Sequence, residues 1–276
     1  MNEQRIKKVL LFCGVIFMVL FCSIPFLWMV IISLNKHPDF LLKGSAFVFS
    51  FDNYFEIIST SSTHILQYLL NSFIISFTAA FLTTLFAALS AYSISRFSFP
   101  GRAVIPILLL GLSMFPQISI VGYLFKIMTG VGWINTYYAL IFPYITLGLP
   151  LALWIMLSYL SKISKELDKA ALVDGASRMQ IFFKIIFPVS LPGILSTFVL
   201  VFIYAFNEFL FALMLTIDYN ARTIPVGIAL FEGLHGQIPW GYIMAASVIA
   251  VIPVLLLIAF FQKYIIQGLT EGAVKG

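Results

Sequence analysis

The sequence predicts an all-α, polytopic membrane protein with six transmembrane helices, because the chain is strongly apolar and its apolar residues form long runs. Of 276 residues, 61% are hydrophobic and 10% are charged, whereas a soluble domain carries about 25% charged residues. Each of the six runs reaches the roughly 20 residues that a helix needs to cross a bilayer. We therefore expect a single transmembrane domain over residues 1–276.

The order of these runs along the chain gives the predicted spans. They lie at residues 9–34, 69–95, 103–128, 137–160, 189–217 and 242–264. Basic residues at Arg5, Lys7 and Lys8 precede the first span, as they do in a signal peptide. That apolar run is too long for a signal-peptide core, and no small-residue cleavage site follows it. We therefore expect the first span to be retained. Prolines inside the spans can kink their helices, at Pro25, Pro106, Pro116, Pro143, Pro150 and Pro253.

The distribution of Lys and Arg predicts the orientation. With the N-terminus in the cytosol, only four of the 16 basic residues fall in outer loops, namely Lys36, Lys43, Lys126 and Arg222. Loops rich in Lys and Arg stay on the cytoplasmic side of a membrane. We therefore expect a multi-pass protein of the cell membrane in which both termini, the 161–192 loop and the 265–276 tail are cytoplasmic.

The second span carries a broad face of small residues. Ser, Ala and Thr recur every four positions and are flanked by further Ala and Thr, at Ser72, Ser76, Ala79, Ala80, Thr83, Thr84, Ala87, Ala88 and Ala91. Small residues let helices approach closely in lipid. We expect this span to lie inside the helix bundle or at a subunit contact. A lipid-facing helix that is rich in alanine is the alternative.

The fifth span contains an acidic residue at membrane depth, in the pair Asn207-Glu208. An ionisable side chain is costly in lipid and normally faces the interior of a bundle or a water-filled cavity. Asn207 and Glu208 are therefore candidates to line a translocation pathway. A structural hydrogen bond from Glu208 to a neighbouring helix is an equally good interpretation.

The 165–192 segment is both charged and helix-patterned, and it predicts two short helices joined by a tight turn. Leu167, Ala170, Ala171 and Asp174 share one helical face. Gly175 can end this first helix, because glycine adopts the left-handed conformation without strain.

The second helix of this segment predicts a docking surface. Ser177 can cap its first turn, and a large apolar face follows at Met179, Phe182, Phe183 and Ile186. A cytoplasmic loop exposes such a face only where a partner covers it. An ordinary amphipathic loop between two spans is the alternative.

The same segment resembles the EAA loop of ABC importer permeases in the spacing of Ala170-Ala171, Gly175, Ile185 and Phe187-Pro188. In that family the loop is a cytoplasmic helix pair that docks into a cleft on the ATPase subunit. We refer to residues 161–192 as the EAA-like loop. The resemblance implies an ATPase-coupling role for Ala170, Ala171, Asp174, Gly175, Met179, Phe182 and Phe183. The loop departs from the family pattern at Lys169, where Glu is usual, and at Phe187, where Leu is usual.

Two further segments resemble the sugar permeases of this family, of the maltose-transporter type. Residues 206–209 are similar to a Trp-Asn-Glu-Phe segment, with Phe206 in place of Trp. The ending Gly268–Gly276 resembles a tail that reaches toward the ATPase dimer. The resemblance implies the ABC importer permease fold. It also implies four partners: a second, non-identical permease subunit that completes a heterodimer, two cytosolic ABC ATPase subunits and an extracytoplasmic sugar-binding protein.

Catalytic and metal chemistry find no support in the sequence. A GxxxxGK[ST] motif that would hold ATP phosphates is missing, and no catalytic triad or carboxylate pair can be assembled. Cys13 and Cys22 share one apolar segment, and His37, His64 and His235 lack the spacing of metal ligands. The net charge of +5 is spread over loops and does not suggest nucleic acid. We expect no catalytic residue, no metal and no cofactor, with ATP bound by a partner subunit and lipid around the spans.

These predictions favour a permease subunit of an ATP-driven ABC importer for a carbohydrate, with an oligosaccharide preferred, rather than an enzyme. A self-contained secondary transporter or channel is the alternative class, although the inverted repeats of such proteins are not evident. A polytopic membrane enzyme would need a catalytic cluster. An ABC permease for another substrate, such as a glycerol phosphate, stays open.

Overall fold

The computed structural model describes residues 3–36, 47–60, 63–231 and 239–273. This part of the chain is mostly helical and contains no strand, which confirms the all-α prediction. The helices are α1 (Glu3–Ser33), α2 (Asp52–Ser59), α3 (Ile65–Arg96), α4 (Val104–Ser113), α5 (Gln117–Gly130), α6 (Tyr137–Leu160), α7 (Glu166–Val173), α8 (Arg178–Ile181), α9 (Phe187–Val189), α10 (Leu191–Phe206), α11 (Leu210–Leu215), α12 (Ile224–Ala229) and α13 (Trp240–Ala273). A π-helix at Phe182–Ile186 connects α8 to α9.

Four helices in the described residues are long and apolar enough to cross a membrane alone, namely α1, α3, α6 and α13. Two further segments qualify as bent pairs. The axes of α4 and α5 differ by 92°, and the 178–189 segment makes an angle of 78° with α10. Counting each pair as one span gives up to six candidate spans, which is the predicted number. In the second pair, residues 178–189 belong to the 161–192 loop that the sequence predicts to be cytoplasmic, so only α10 coincides with the predicted fifth span.

The third and fifth predicted spans are broken helices, although each was predicted as one continuous segment. Pro116 separates α4 from α5, since it has no N–H to donate and its ring disfavours helical geometry at the preceding residue. The fifth span is interrupted after Phe206, where α10 ends, and α11 begins only at Leu210. Hydropathy averaged over a whole span does not register either break, because each break is only three residues long and lies within a longer apolar run.

The contacts within the chain divide it into two compact units, where the sequence predicts a single domain. The first unit comprises residues 1–66 and 227–252. Within it, Nδ2 of the buried Asn53 donates to the carbonyl oxygens of Ser33 and Asn35, both at 2.9 Å. A Cβ on Gly241 would lie 2.7 Å from Asn53 Oδ1, so the close approach requires glycine at that position.

The second unit comprises residues 67–226 and 253–276 and includes most of α3. The small-residue face of α3 is buried throughout, which confirms that this helix lies inside its unit. Neighbouring helices also approach closely at glycines. A Cβ on Gly148 of α6 would lie 3.1 Å from Val201 Cγ1, and one on Gly193 of α10 would lie 2.5 Å from the ring of Tyr159. Helices α3, α6 and α10 therefore pack with little space between them.

The C-terminal tail continues the last helix, because α13 extends to Ala273. Residues 265–273 are therefore helical, although short polar termini are usually poorly ordered. Residues 274–276 of the tail lie outside the described part of the chain, as do Lys43, His37 and His235.

Candidate functional site

The turn of the EAA-like loop is built as the sequence predicts. Helix α7 ends in a paired hydrogen-bond motif, in which the N–H of Ala176 donates to the carbonyl of Ala171 at 2.9 Å and the N–H of Gly175 donates to that of Leu172 at 3.1 Å. This motif requires a left-handed residue after the helix, and Gly175 has φ +81°. The predicted helix stop is confirmed.

The second helix begins with a reciprocal cap. Ser177 Oγ accepts from the N–H of Gln180 at 3.3 Å, and the side chain of Gln180 accepts from the N–H of Ser177 at 2.8 Å. This capping box satisfies two of the donors that a helix N-terminus leaves free. The predicted capping role of Ser177 is confirmed.

The predicted coupling residues are divided between the surface and the interior. Ala170, Asp174, Gly175, Met179 and Phe183 are exposed, with Met179 at 61% and Phe183 at 48%. Ala171 and Phe182 are buried.

The prediction that Met179, Phe182, Phe183 and Ile186 form one exposed face is therefore wrong. The π-helix over residues 182–186 changes the angular spacing of its side chains from that of an α-helix. Phe182 turns inward and its ring lies 5.3 Å from that of Tyr92 at the end of α3. Ile186 is also buried, so Met179 and Phe183 are what remains of the apolar face at the surface.

A buried ion pair holds the first helix of the loop, and the sequence did not single out its members. Arg96 Nε of α3 lies 3.0 Å from Asp168 Oδ2 of α7, and the two side chains are 2% and 5% exposed. The hydroxyl of Tyr92 donates to Asp168 Oδ1 at 2.9 Å. Arg96 Nη2 also donates to the carbonyl of Ile163 at 2.9 Å. Asp168 lies among Lys and Glu in the sequence and so resembles a solvated loop residue, whereas it is the loop's anchor.

Glu208 occupies a structural position in the break between α10 and α11. It is buried, and its carboxylate accepts from the N–H groups of Phe211 at 2.8 Å and Ala212 at 3.1 Å, so it caps the first turn of α11. The hydroxyl of Tyr144 on α6 donates to Glu208 Oε2 at 2.7 Å. These contacts support the structural interpretation of Glu208.

Asn207 differs from its neighbour because it is exposed within the chain, and its amide donates to the carbonyl of Ile203 at 2.8 Å. Three residues earlier, the hydroxyl of Tyr204 accepts from Gln117 Nε2 at 2.9 Å. Gln117 begins α5, so this hydrogen bond links the two helix breaks. Asn207 and Glu208 lie beside each other in the chain, but only Asn207 leaves its side chain accessible to a solute.

Residues 2–271 match the family described as binding-protein-dependent transport system inner membrane components. The chain belongs to this family. It is 52% identical over 279 residues to the trehalose/maltose transport system permease protein MalG of Thermococcus litoralis, covering all of both chains. It is also 38% identical over 260 residues to the trehalose transport system permease protein SugB of Mycobacterium tuberculosis, covering 93% of each.

Solved structures give the same fold. A chain of the crystal structure of a bacterial ABC transporter involved in the import of the acidic polysaccharide alginate matches with a TM-score of 0.78, at 18% identity, over 96% of this chain and 98% of that one. The protein is therefore a multi-pass permease of the cell membrane with the ABC importer fold.

The EAA-like loop departs from the family pattern at Lys169 and Phe187, and both side chains make contacts within the loop. Lys169 pairs with Glu166 at 2.8 Å, and both side chains are more than two-thirds exposed. Phe187 packs its ring within 6.2 Å of the ring of Phe182. Neither substitution disturbs the turn at Gly175.

In the second unit, side-chain hydrogen bonds hold the 216–223 loop, which connects α11 to α12. Asn135, with φ +61°, accepts from the N–H of Ile217 at 2.9 Å and donates to Asp218 Oδ1 at 2.8 Å. This donation, with a second from the N–H of Asn220, holds the pKa of the Asp218 carboxyl below its ordinary value. The side chain of Arg222 also donates to the carbonyl of Ile217.

Proposed function

We propose that this permease is a subunit of an ATP-driven importer and carries a carbohydrate, preferably an oligosaccharide, across the cell membrane. The observation that carries the proposal is the 52% identity, over the full length of both chains, to a trehalose/maltose transport permease. A second relative with a trehalose transport name supports the same substrate class. Identity of this extent makes a shared substrate class the simplest interpretation.

The proposed assembly contains four further subunits. A second, non-identical permease completes the pathway as a heterodimer, two cytosolic ATPases bind and hydrolyse ATP, and an extracytoplasmic binding protein delivers the sugar. The family's description as binding-protein-dependent supports the last of these. The permease itself binds no cofactor and does not hydrolyse ATP. Both termini lie in the cytosol, which the distribution of Lys and Arg supports.

The EAA-like loop is the proposed contact with the ATPases. Its exposed apolar residues, Met179 and Phe183, supply the anchoring surface, and Ala170 leaves room for close approach. Asp174 and Gly175 set the angle between the two helices, while the buried Ala171 and Phe182 hold the loop against the rest of the chain. Movement of the ATPases would shift this loop as a body and switch the pathway between inward-facing and outward-facing states.

The translocation pathway is proposed to pass the helix breaks. Asn207 lines it with an accessible amide, and Glu208 fixes the local backbone through its cap on α11. An amide matches the hydroxyl groups of a sugar, because it both donates and accepts hydrogen bonds.

Uptake in cells tests the proposal. A host that lacks its own systems for these solutes would receive the permease, its partner permease, the ATPase and the binding protein. Radiolabelled trehalose, maltose, a maltooligosaccharide and glycerol phosphate would be offered separately. We expect carbohydrate uptake that disappears when this permease alone is omitted. Uptake of glycerol phosphate alone, or carbohydrate uptake without this chain, would contradict the proposed function.

A further inference from the structure

Both halves of the EAA-like loop rest on the last turns of α3. The first half is held by Asp168, which contacts Arg96 at 3.0 Å and Tyr92 at 2.9 Å. The second half is held by Phe182, whose ring is 5.3 Å from that of Tyr92. Tyr92 and Arg96 are four residues apart and so lie on one face of α3. Arg178 adds a cation–π contact to the ring of Phe97, just beyond the helix, at 5.3 Å.

Side chains at the other end of α3 form hydrogen bonds with the 216–223 loop. Asn71 is fully buried, and its Nδ2 donates to the carbonyls of Tyr219 at 2.9 Å and Arg222 at 3.0 Å. The next residue, Ser72, accepts from the N–H of Ile224 at 2.7 Å. Polar side chains of α3 thus fix backbone groups of this loop and of the start of α12.

Helix α3 is well suited to connect these two ends. Its sequence from Ile65 to Arg96 contains neither Gly nor Pro, whereas α1, α6 and α13 each contain proline. A helix without such residues lacks the usual causes of a kink. At 1.5 Å per residue, Asn71 and Arg96 lie about 38 Å apart along the axis.

We propose that α3 transmits movement of the EAA-like loop to the 216–223 loop, and that the Arg96–Asp168 ion pair is the contact that fixes the EAA-like loop to this helix. The inference rests on the proposed function, in which ATPases move the EAA-like loop and a binding protein delivers the sugar at the outer face. Arg96 and Asp168 are positioning residues, because they touch neither ATP nor sugar.

The burial of the pair explains why it can transmit movement. Separating a buried ion pair leaves an uncompensated charge and is strongly unfavourable. An exposed pair exchanges its partner for water at little cost. When the loop moves, α3 therefore moves with it before the ion pair breaks. The exposed Glu166–Lys169 pair on the same helix, α7, cannot have this effect and provides a matched control.

The test uses the complete transporter in lipid nanodiscs and compares ATP hydrolysis with and without sugar-loaded binding protein. We expect Asp168→Asn to assemble with its partners but to lose about tenfold of the stimulation by the binding protein, in the range found for mutations that weaken coupling between sites. The control Glu166→Gln should keep full stimulation. Full stimulation in an assembled Asp168→Asn complex would overturn the inference, and so would loss of the ATPases from that complex.

A second variant separates transmission from local damage. Asn71→Ala alters the far end of α3 without touching the EAA-like loop, and it should also lower the stimulation. If both residues act through α3, stimulation in the double variant Asn71→Ala/Asp168→Asn should be no lower than in the single variant that has the lower stimulation. Independent defects would instead multiply in the double variant, and that outcome would overturn the inference. A wild-type complex that shows no response to loaded binding protein would count against the proposed function itself.

Discussion

Replacing Gly175 by valine strains the EAA-like loop without any steric clash. Gly175 has φ +81°, and a Cβ built on it would meet nothing within 4 Å. The cost therefore comes from the backbone alone, at about 1–2 kcal/mol for a side chain in the left-handed region, with a β-branched side chain at the upper end. Because that Cβ would meet no neighbouring atom, the strain acts on the backbone of the loop itself.

The strain is relieved by opening the turn that joins the two helices of the loop. The hydrogen bonds from Ala176 to Ala171 and from Gly175 to Leu172 would be lost, and the second helix would swing away. Met179 and Phe183 would then no longer meet the ATPase together. We expect Gly175→Val to insert and pair with the partner permease, to retain little ATPase and to show uptake close to zero.

The assay combines recovery of the ATPase from detergent extracts with sugar uptake in cells. Gly101→Val is the matched control, since Gly101 has φ +84° with nothing within 4 Å but lies between α3 and α4. It should keep both activities. Gly175→Asn should be intermediate, because asparagine tolerates positive φ. Normal ATPase recovery and uptake in Gly175→Val, or equal losses in Gly101→Val, would refute the reasoning.

Three further predictions concern Glu208, Gly193 and the orientation of the chain in the membrane. Glu208→Gln should retain assembly and part of the uptake. Glu208→Leu should lose uptake, because three buried donors lose their acceptor at about 1–3 kcal/mol each. Normal uptake by an assembled Leu variant would exclude both a pathway role and a structural role for Glu208. Gly193→Val should lower the free energy of unfolding by about 1–3 kcal/mol, because its side chain would clash with Tyr159. An unchanged melting temperature in detergent would contradict that close contact. In a cysteine-free chain on intact cells, an impermeant thiol reagent should label Asn220→Cys but not Ser177→Cys, and the reverse pattern would invert the topology.

Features that depend on neighbouring residues in the sequence were predictable. The helix stop at Gly175 and the cap at Ser177 are local, because each is made by groups within a few positions of the residue itself. The burial of α3 was also predictable, since a broad face of small residues at a helical period favours close packing of helices in lipid. The number of spans followed from the lengths of the apolar runs.

Features that depend on distant residues were not predictable. The partner of Asp168, Tyr92, lies 76 positions away, so nothing around Asp168 marks it as buried. The burial of Phe182 involves the ring of the same distant tyrosine. The break at Pro116 is a different case, because the proline is visible but its 92° effect depends on what the two helix halves pack against.

ATP-driven uptake into liposomes tests the central claim most directly. Liposomes would contain this permease, its partner permease and the ATPases, with the loaded binding protein outside and ATP inside. We predict carbohydrate accumulation that requires ATP and the binding protein, and that is lost in the Gly175→Val complex. Accumulation by this chain alone under a proton or sodium gradient, with no need for ATP, would contradict the account and identify a self-contained secondary transporter.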